Sequence, residues 1–142
     1  MRIFSLKGIT GLVLGSFVLV SLSTISLSQS KSSAGSDAKA LKNPVKSTPQ
    51  SIEAGQKVYQ TNCKPCHGES GKGDGPVAAN LQVKPSDLTA AKLAHGSSDG
   101  EIFTNIKDGI GPEMKMKSFK AKIDDQNIWN VVNYIRSLSP KK

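Results

Sequence analysis

Cys63-Lys64-Pro65-Cys66-His67 is the one stretch of this sequence whose residue types and spacing dictate a particular chemistry. Two thiols three positions apart can add to the two vinyl groups along one edge of a haem. The histidine that follows at once can then ligate the iron, and C-x-x-C-H is the pattern of c-type haem attachment. A structural zinc site would want four ligands, usually from two such pairs, and the chain has 2 cysteines in all. A thioredoxin-like pair belongs in a strand-helix setting, whereas a glycine-rich run follows here. The expected cofactor is therefore one covalently attached haem c with its iron, held by Cys63 and Cys66, with His67 as the proximal ligand. No serine or cysteine nucleophile stands beside a base, and His67 is already committed, so no catalytic residue is assigned and the chain does not read as an enzyme.

What must position this motif is small. The 142 residues allow one modest domain, and with aromatic residues at 5% the chain is poorly equipped to bury a core unaided. A porphyrin held by two thioethers would supply the missing apolar mass. The pattern predicts helices and loops, with no persuasive strand. Ser51 is the expected N-cap of a helix over 52–61 that places Ile52, Gly55, Val58 and Tyr59 on one face and ends at Asn62, just before the motif. Residues 68–98 carry too many glycines and prolines for one long element, with short helices expected around Ala78–Leu81 and Thr89–Ala94. Ser98 should cap a helix from Asp99 to about Lys107, with Ile102, Phe103 and Ile106 inward and Gly109 as its stop. The last helix is the clearest: Asp124 or Asp125 caps it, Ile128, Val131, Val132, Ile135 and Leu138 recur at helical spacing, and Pro140 lies past its end. Trp129 and Tyr134 read as core packing.

The N-terminus reads as an address. Arg2 and Lys7 precede an uncharged stretch from Gly8 to Leu27, and small residues near Ser26–Ser30 offer a cleavage site. Residues 1–30 are expected to be a signal peptide for export to the periplasm, with an uncleaved inner-membrane anchor as the alternative. Residues 31–50 are rich in Ser, Lys, Ala and Pro and predict a disordered linker, leaving 51–142 as the working domain. The net charge of +8 divides into +2 from the leader, +3 from 31–50 and +3 from the domain, whose 13 basic residues face 10 acidic ones. That balance argues against nucleic-acid binding. Membrane contact is expected only if the leader is retained.

With the elements placed, residues 51–139 resemble the class I, single-haem bacterial c-type cytochromes. The resemblance is carried by Gly55 and Tyr59 ahead of the motif, by Gly68-Glu69-Ser70-Gly71-Lys72-Gly73-Asp74-Gly75-Pro76, and by Pro85-Ser86-Asp87-Leu88. It continues in Met116-Lys117-Ser118-Phe119 and Ile128-Trp129-Asn130-Val131-Val132-Asn133-Tyr134-Ile135. It implies an all-α fold around one haem, with crossed N- and C-terminal helices, Gly55 permitting their close approach and Tyr134 packing there. It also implies a loop proline whose carbonyl supports the proximal histidine, for which Pro85 and Pro76 are both candidates. The implied distal iron ligand is Met116, three residues before Phe119, although Lys117 stands where the family commonly has proline. Met114 is its rival, and His95 reads more simply as an exposed loop residue.

Met/His ligation raises the potential relative to two imidazoles and leaves no vacant iron position. The implied function is an exported monohaem carrier of single electrons between donor and acceptor redox proteins. The alternative is a dedicated haem subunit of a periplasmic dehydrogenase or terminal reductase. Lys115, Lys117, Lys120 and Lys122, together with Lys64, would border the exposed haem edge and steer an acidic partner.

Overall fold

Thr48, rather than Ser51, opens the first long helix. In the computed structural model, which describes residues 33–111 and 116–139, the Thr48 side chain accepts from the Ser51 N–H, while the Ser51 hydroxyl accepts in return from the Thr48 N–H. Ser51 is thus the far corner of a capping box, and Pro49, with no N–H to satisfy, takes the first turn. Among the described residues the helices are α1 (Ser33–Ala40), α2 (Pro49–Asn62), α3 (Lys64–His67), α4 (Asp99–Asp108) and α5 (Asp125–Leu138), with one 3-10 turn at Ala78–Asn80. The described residues form no strand; one isolated backbone bridge joins Ile110 and Met116. The fold is all-α.

The expected caps hold for α4 and α5. Ser98 and Glu101 form a second capping box, Gly109 ends α4 at φ 83°, and Asp124 accepts from the Asn127 N–H. Residues 89–94 form turns instead of the expected short helix. Asp87 takes the Thr89 N–H and hydroxyl, and the Ser97 hydroxyl takes the Leu93 N–H, so side chains capture the donors a helix would need.

The core lies where α4 and α5 face each other. Ile102, Phe103 and Ile106 pack against Ile128, Val131, Val132 and Ile135, joined by Phe119 and Ile123. Phe103 stacks on Trp129 with centroids 4.0 Å apart. On its other flank α5 meets α2 at Gly55, where a Cβ would overlap the Asn130 carbonyl. Tyr59 and Tyr134 touch beside this contact, 5.0 Å between centroids, and pack with Cys63 in a second buried cluster.

The linker expected over 31–50 is corrected for its described part. α1 packs on α4, with the Ala38 carbonyl and Leu41 against Gly100. Asn43 donates to the Asn133 side chain (2.9 Å), and Asn133 donates to the Val45 carbonyl (3.2 Å) and the Ser51 hydroxyl (3.1 Å). Low apolar content misled because this arm is held largely by amide hydrogen bonds, with Val45 packed against the main core cluster. The leader 1–30, Met114 and Lys115 lie outside the described residues. No helix among the described residues is long and apolar enough to cross a membrane.

Candidate functional site

The motif forms its own short helix. Cys63 ends α2 and begins α3, its carbonyl accepting from the N–H groups of Cys66 (3.1 Å) and His67 (2.8 Å). The glycine-rich loop then folds back along α3 and occupies the carbonyls that helix leaves open. Gly73 donates to the His67 carbonyl (2.8 Å), Gly75 to that of Cys66 (3.1 Å) and Val77 to that of Pro65 (2.9 Å). A Cβ on Gly75 would strike the Lys64 and Pro65 carbonyls, which is the physical reason for glycine there. Tyr59 completes the clasp from α2, its buried hydroxyl donating to the Gly68 carbonyl at 2.9 Å.

Two adjoining cavities, of about 60 and 450 Å³, share Cys63, His67, Ser86, His95, Ile110 and Met116 in their walls. Cys66 lines the larger one. The cysteine pair, the histidine and Met116 are therefore gathered around one cleft. His95 is exposed, as expected, but it too stands at this cleft.

His67 Nδ1 lies 3.2 Å from the Ser86 carbonyl. Neither proposed proline supplies that carbonyl; the acceptor is the residue after Pro85. With Nδ1 donating there, Nε2 carries the lone pair and is the nitrogen free for a metal. Burial holds the imidazole below its ordinary value, opposed by the Ser86 bond, so the neutral, ligating form is favoured. Burial pushes the Cys63 thiol up to about 12, with Cys66 adding to the shift.

Met116 is fixed through its backbone. It exchanges hydrogen bonds with Ile110 (2.8 and 3.3 Å), and Phe119 N–H reaches the Ile106 carbonyl at the end of α4 (3.1 Å). Pairing to the α4 end thus stands in for the rigid turn that proline at position 117 would have supplied.

These residues fit a porphyrin. Two thiols, a histidine with one nitrogen already engaged, and a thioether are the donor set haem c uses. Among the described residues, three of the four exposed large apolar side chains, Val77, Leu81 and Val83, line the larger cavity, where a flat apolar ring would cover them. Sequence reading missed this trio and Ser86. Neither has a periodic signal, because both lie in the breaker-rich loop between α3 and α4.

The family model described as Cytochrome c matches residues 52–139. The chain is 27% identical over 90 residues to the cbb3-type cytochrome c oxidase subunit CcoP of Azospirillum brasilense, covering 63% of this chain but 29% of that protein. The match thus spans less than a third of the length of that relative. Cytochrome c6 of the alga Gracilaria tenuistipitata var. liui is 26% identical over 88 residues, 62% of this chain and 73% of that one. Among solved structures, a chain of the Kuenenia stuttgartiensis reducing HAO-like protein complex superposes with a TM-score of 0.63 at 31% identity, over 68% of this chain and 47% of that chain.

Proposed function

This chain belongs to the cytochrome c family and carries covalently bound haem c, and from that premise we propose that it is an exported electron carrier, not a catalyst. Cys63 and Cys66 hold the haem, His67 is the proximal ligand and Met116 the distal one. The observation that carries this reading is the His67 Nδ1 bond to the Ser86 carbonyl beside a cleft that Met116 also lines. Bound haem supplies a one-electron Fe(III)/Fe(II) couple at such a site. The Ser86 carbonyl would hold the His67 ring oriented toward the iron. Met116, a thioether, would favour the reduced state and would leave no open iron position for oxygen or peroxide. The buried α2–α5 contact and the loop clasp on α3 keep that set rigid, so little rearranges when an electron arrives.

Export to the periplasm is supported by the basic, then uncharged, leader. Its partners are a donor and an acceptor redox protein, docked through an acidic surface. A second reading, a haem subunit within a larger oxidoreductase, is favoured by the likeness to parts of longer chains whose names place them in an oxidase and in an HAO-like complex.

The test is potentiometry on the exported holoprotein. A single reversible one-electron wave and no carbon monoxide adduct of the ferrous form are expected. Ready carbon monoxide binding would overturn the carrier reading in favour of an open, catalytic or sensing haem. Stoichiometric co-purification with an enzyme would select the subunit reading over the free carrier.

A further inference from the structure

Residues 93–98 form turns, yet side chains fix them from two helices. The Ser97 hydroxyl accepts from the Leu93 N–H (2.8 Å), and Glu101 accepts from the N–H groups of Ser97 (3.0 Å) and Ser98 (2.8 Å). Asn105 of α4 donates to the His95 carbonyl (2.8 Å), and Arg136 of α5 donates to the Ser97 carbonyl and to Asp99. Gly96, at φ 103°, has the Glu101 side chain where a Cβ would stand, which is why glycine makes the turn beside His95. This clamped loop delivers Leu93, His95 and Gly96 to the wall of the smaller cavity. The His95 side chain itself is exposed, and its ring nitrogens have no hydrogen-bond partner among the described residues. A histidine with no task gives no reason for α4 and α5 both to hold its loop.

The other polar groups of the smaller cavity are committed. The Tyr59 hydroxyl donates to Gly68, His67 Nδ1 lies against the Ser86 carbonyl, and the Asn105 amide is taken by the His95 carbonyl. Besides Ser86, whose backbone meets His67, the His95 ring is the polar side chain left at an otherwise apolar slot. No carboxylate of the described chain lines either cavity. Haem brings two of its own, on a different edge of the macrocycle from the vinyl groups that Cys63 and Cys66 take. Pro65 and Cys66 line only the larger cavity, Gly96 and Asn105 only the smaller, so the loop stands away from Cys66.

We propose that the His95 ring donates a hydrogen bond to a haem carboxylate and thereby sets the potential of the iron. This role rests on the haem-carrier reading and adds a residue to that site. A bare carboxylate near the iron favours Fe(III), because its negative charge offsets the extra positive charge of the oxidised metal. An N–H donor draws on that negative charge and favours Fe(II). Asn105 and Arg136 are positioning residues, and Arg136, which lines neither cavity, acts only by holding the loop.

The experiment applies resonance Raman spectroscopy and potentiometry to holoprotein of the wild type, His95→Gln, His95→Ala, Arg136→Gln, Lys84→Gln and the His95→Ala/Arg136→Gln pair. His95→Ala should shift the haem carboxylate bending mode and lower the equilibrium constant for reduction several-fold, a tenfold change reading as about 59 mV. His95→Gln, whose amide can still donate, should keep the mode and most of the potential. Arg136→Gln should move the potential the same way, and should add nothing once His95 is gone. Lower stability in His95→Ala with mode and potential unchanged would leave the histidine a merely structural role and overturn the proposal. So would a mode that ignores His95→Ala but shifts in Lys84→Gln, which would give the carboxylates to a lysine of the larger cavity. An Arg136→Gln effect that persists in full without His95 would overturn the clamp. Haem that extracts into acid-acetone, or a wild type without a reversible wave, would instead defeat the haem-carrier reading itself.

Discussion

At the scale of single residues, the proposed site depends on two iron-ligating side chains secured in different ways. His67 is oriented by a hydrogen bond to a loop carbonyl, whereas Met116 is placed by its backbone pairing with Ile110. Met116→Ala should abolish the weak long-wavelength charge-transfer band that reports iron–thioether bonding in the oxidised protein, and should lower the potential. Met114→Ala should leave both intact; the opposite pattern would transfer the ligand role to Met114. The attachment residues give a second expectation. Mass spectrometry of exported protein should show one haem retained under denaturing conditions, and haem extractable into acid-acetone would defeat covalent attachment through Cys63 and Cys66. Cys66→Ser should prevent a stable fold, because so much of the apolar interior around Cys63 is to be filled by the porphyrin.

At the scale of elements, the α2–α5 contact is the least forgiving part of the fold. Gly55→Ala must push the Asn130 backbone away, not merely a side chain, and should cost about 3 kcal/mol or prevent folding in denaturant titrations of holoprotein. A near-neutral Gly55→Ala would mean that the two helices separate more easily than their packing implies.

The helix caps carry a pH dependence of definite sign. Glu101 is held below its ordinary value chiefly by the Ser98 N–H, and Asp124 chiefly by the Asn127 N–H. Because folding depresses both values, their stabilisation is present above the ordinary carboxylate range. It is lost as pH falls through the folded-state values. Asp124→Asn, which can still cap but cannot ionise, should flatten the loss of stability between about pH 5 and 2. An unchanged acid profile would show that this cap is not a source of the acid sensitivity.

At the scale of the whole molecule, the N-terminal arm belongs to the folded unit. Asn43 and Asn133 join segments 90 residues apart in sequence, and the arm also covers the start of α2 through Ser51. Deleting residues 33–47 should lower holoprotein stability by about 2 kcal/mol, because it strands buried polar groups of Asn133 and Ser51. The potential should stay unchanged, since no arm residue lines either cavity. A stability equal to that of the full chain would return the arm to the status of a linker.

The sequence by itself determined what is local. The C-x-x-C-H spacing specifies the cofactor, and the 3.6-residue recurrence of Ile128, Val131, Val132 and Ile135 specifies α5 and its buried face. Ser98, Gly109 and Asp124 mark helix ends because caps satisfy backbone groups only a few residues away. Gly55 was legible only through the family resemblance; its steric reason appears once Asn130 lies against it. What the tertiary structure alone decided are the contacts between distant segments that share no period. They include Ser86 and not a proline beneath His67, Asn43 on Asn133, and Val77, Leu81 and Val83 at the cleft. The pairing of Lys64 with Glu69 is of the same kind. Composition counts charges and apolar residues, but which ones meet is set by how the chain returns on itself.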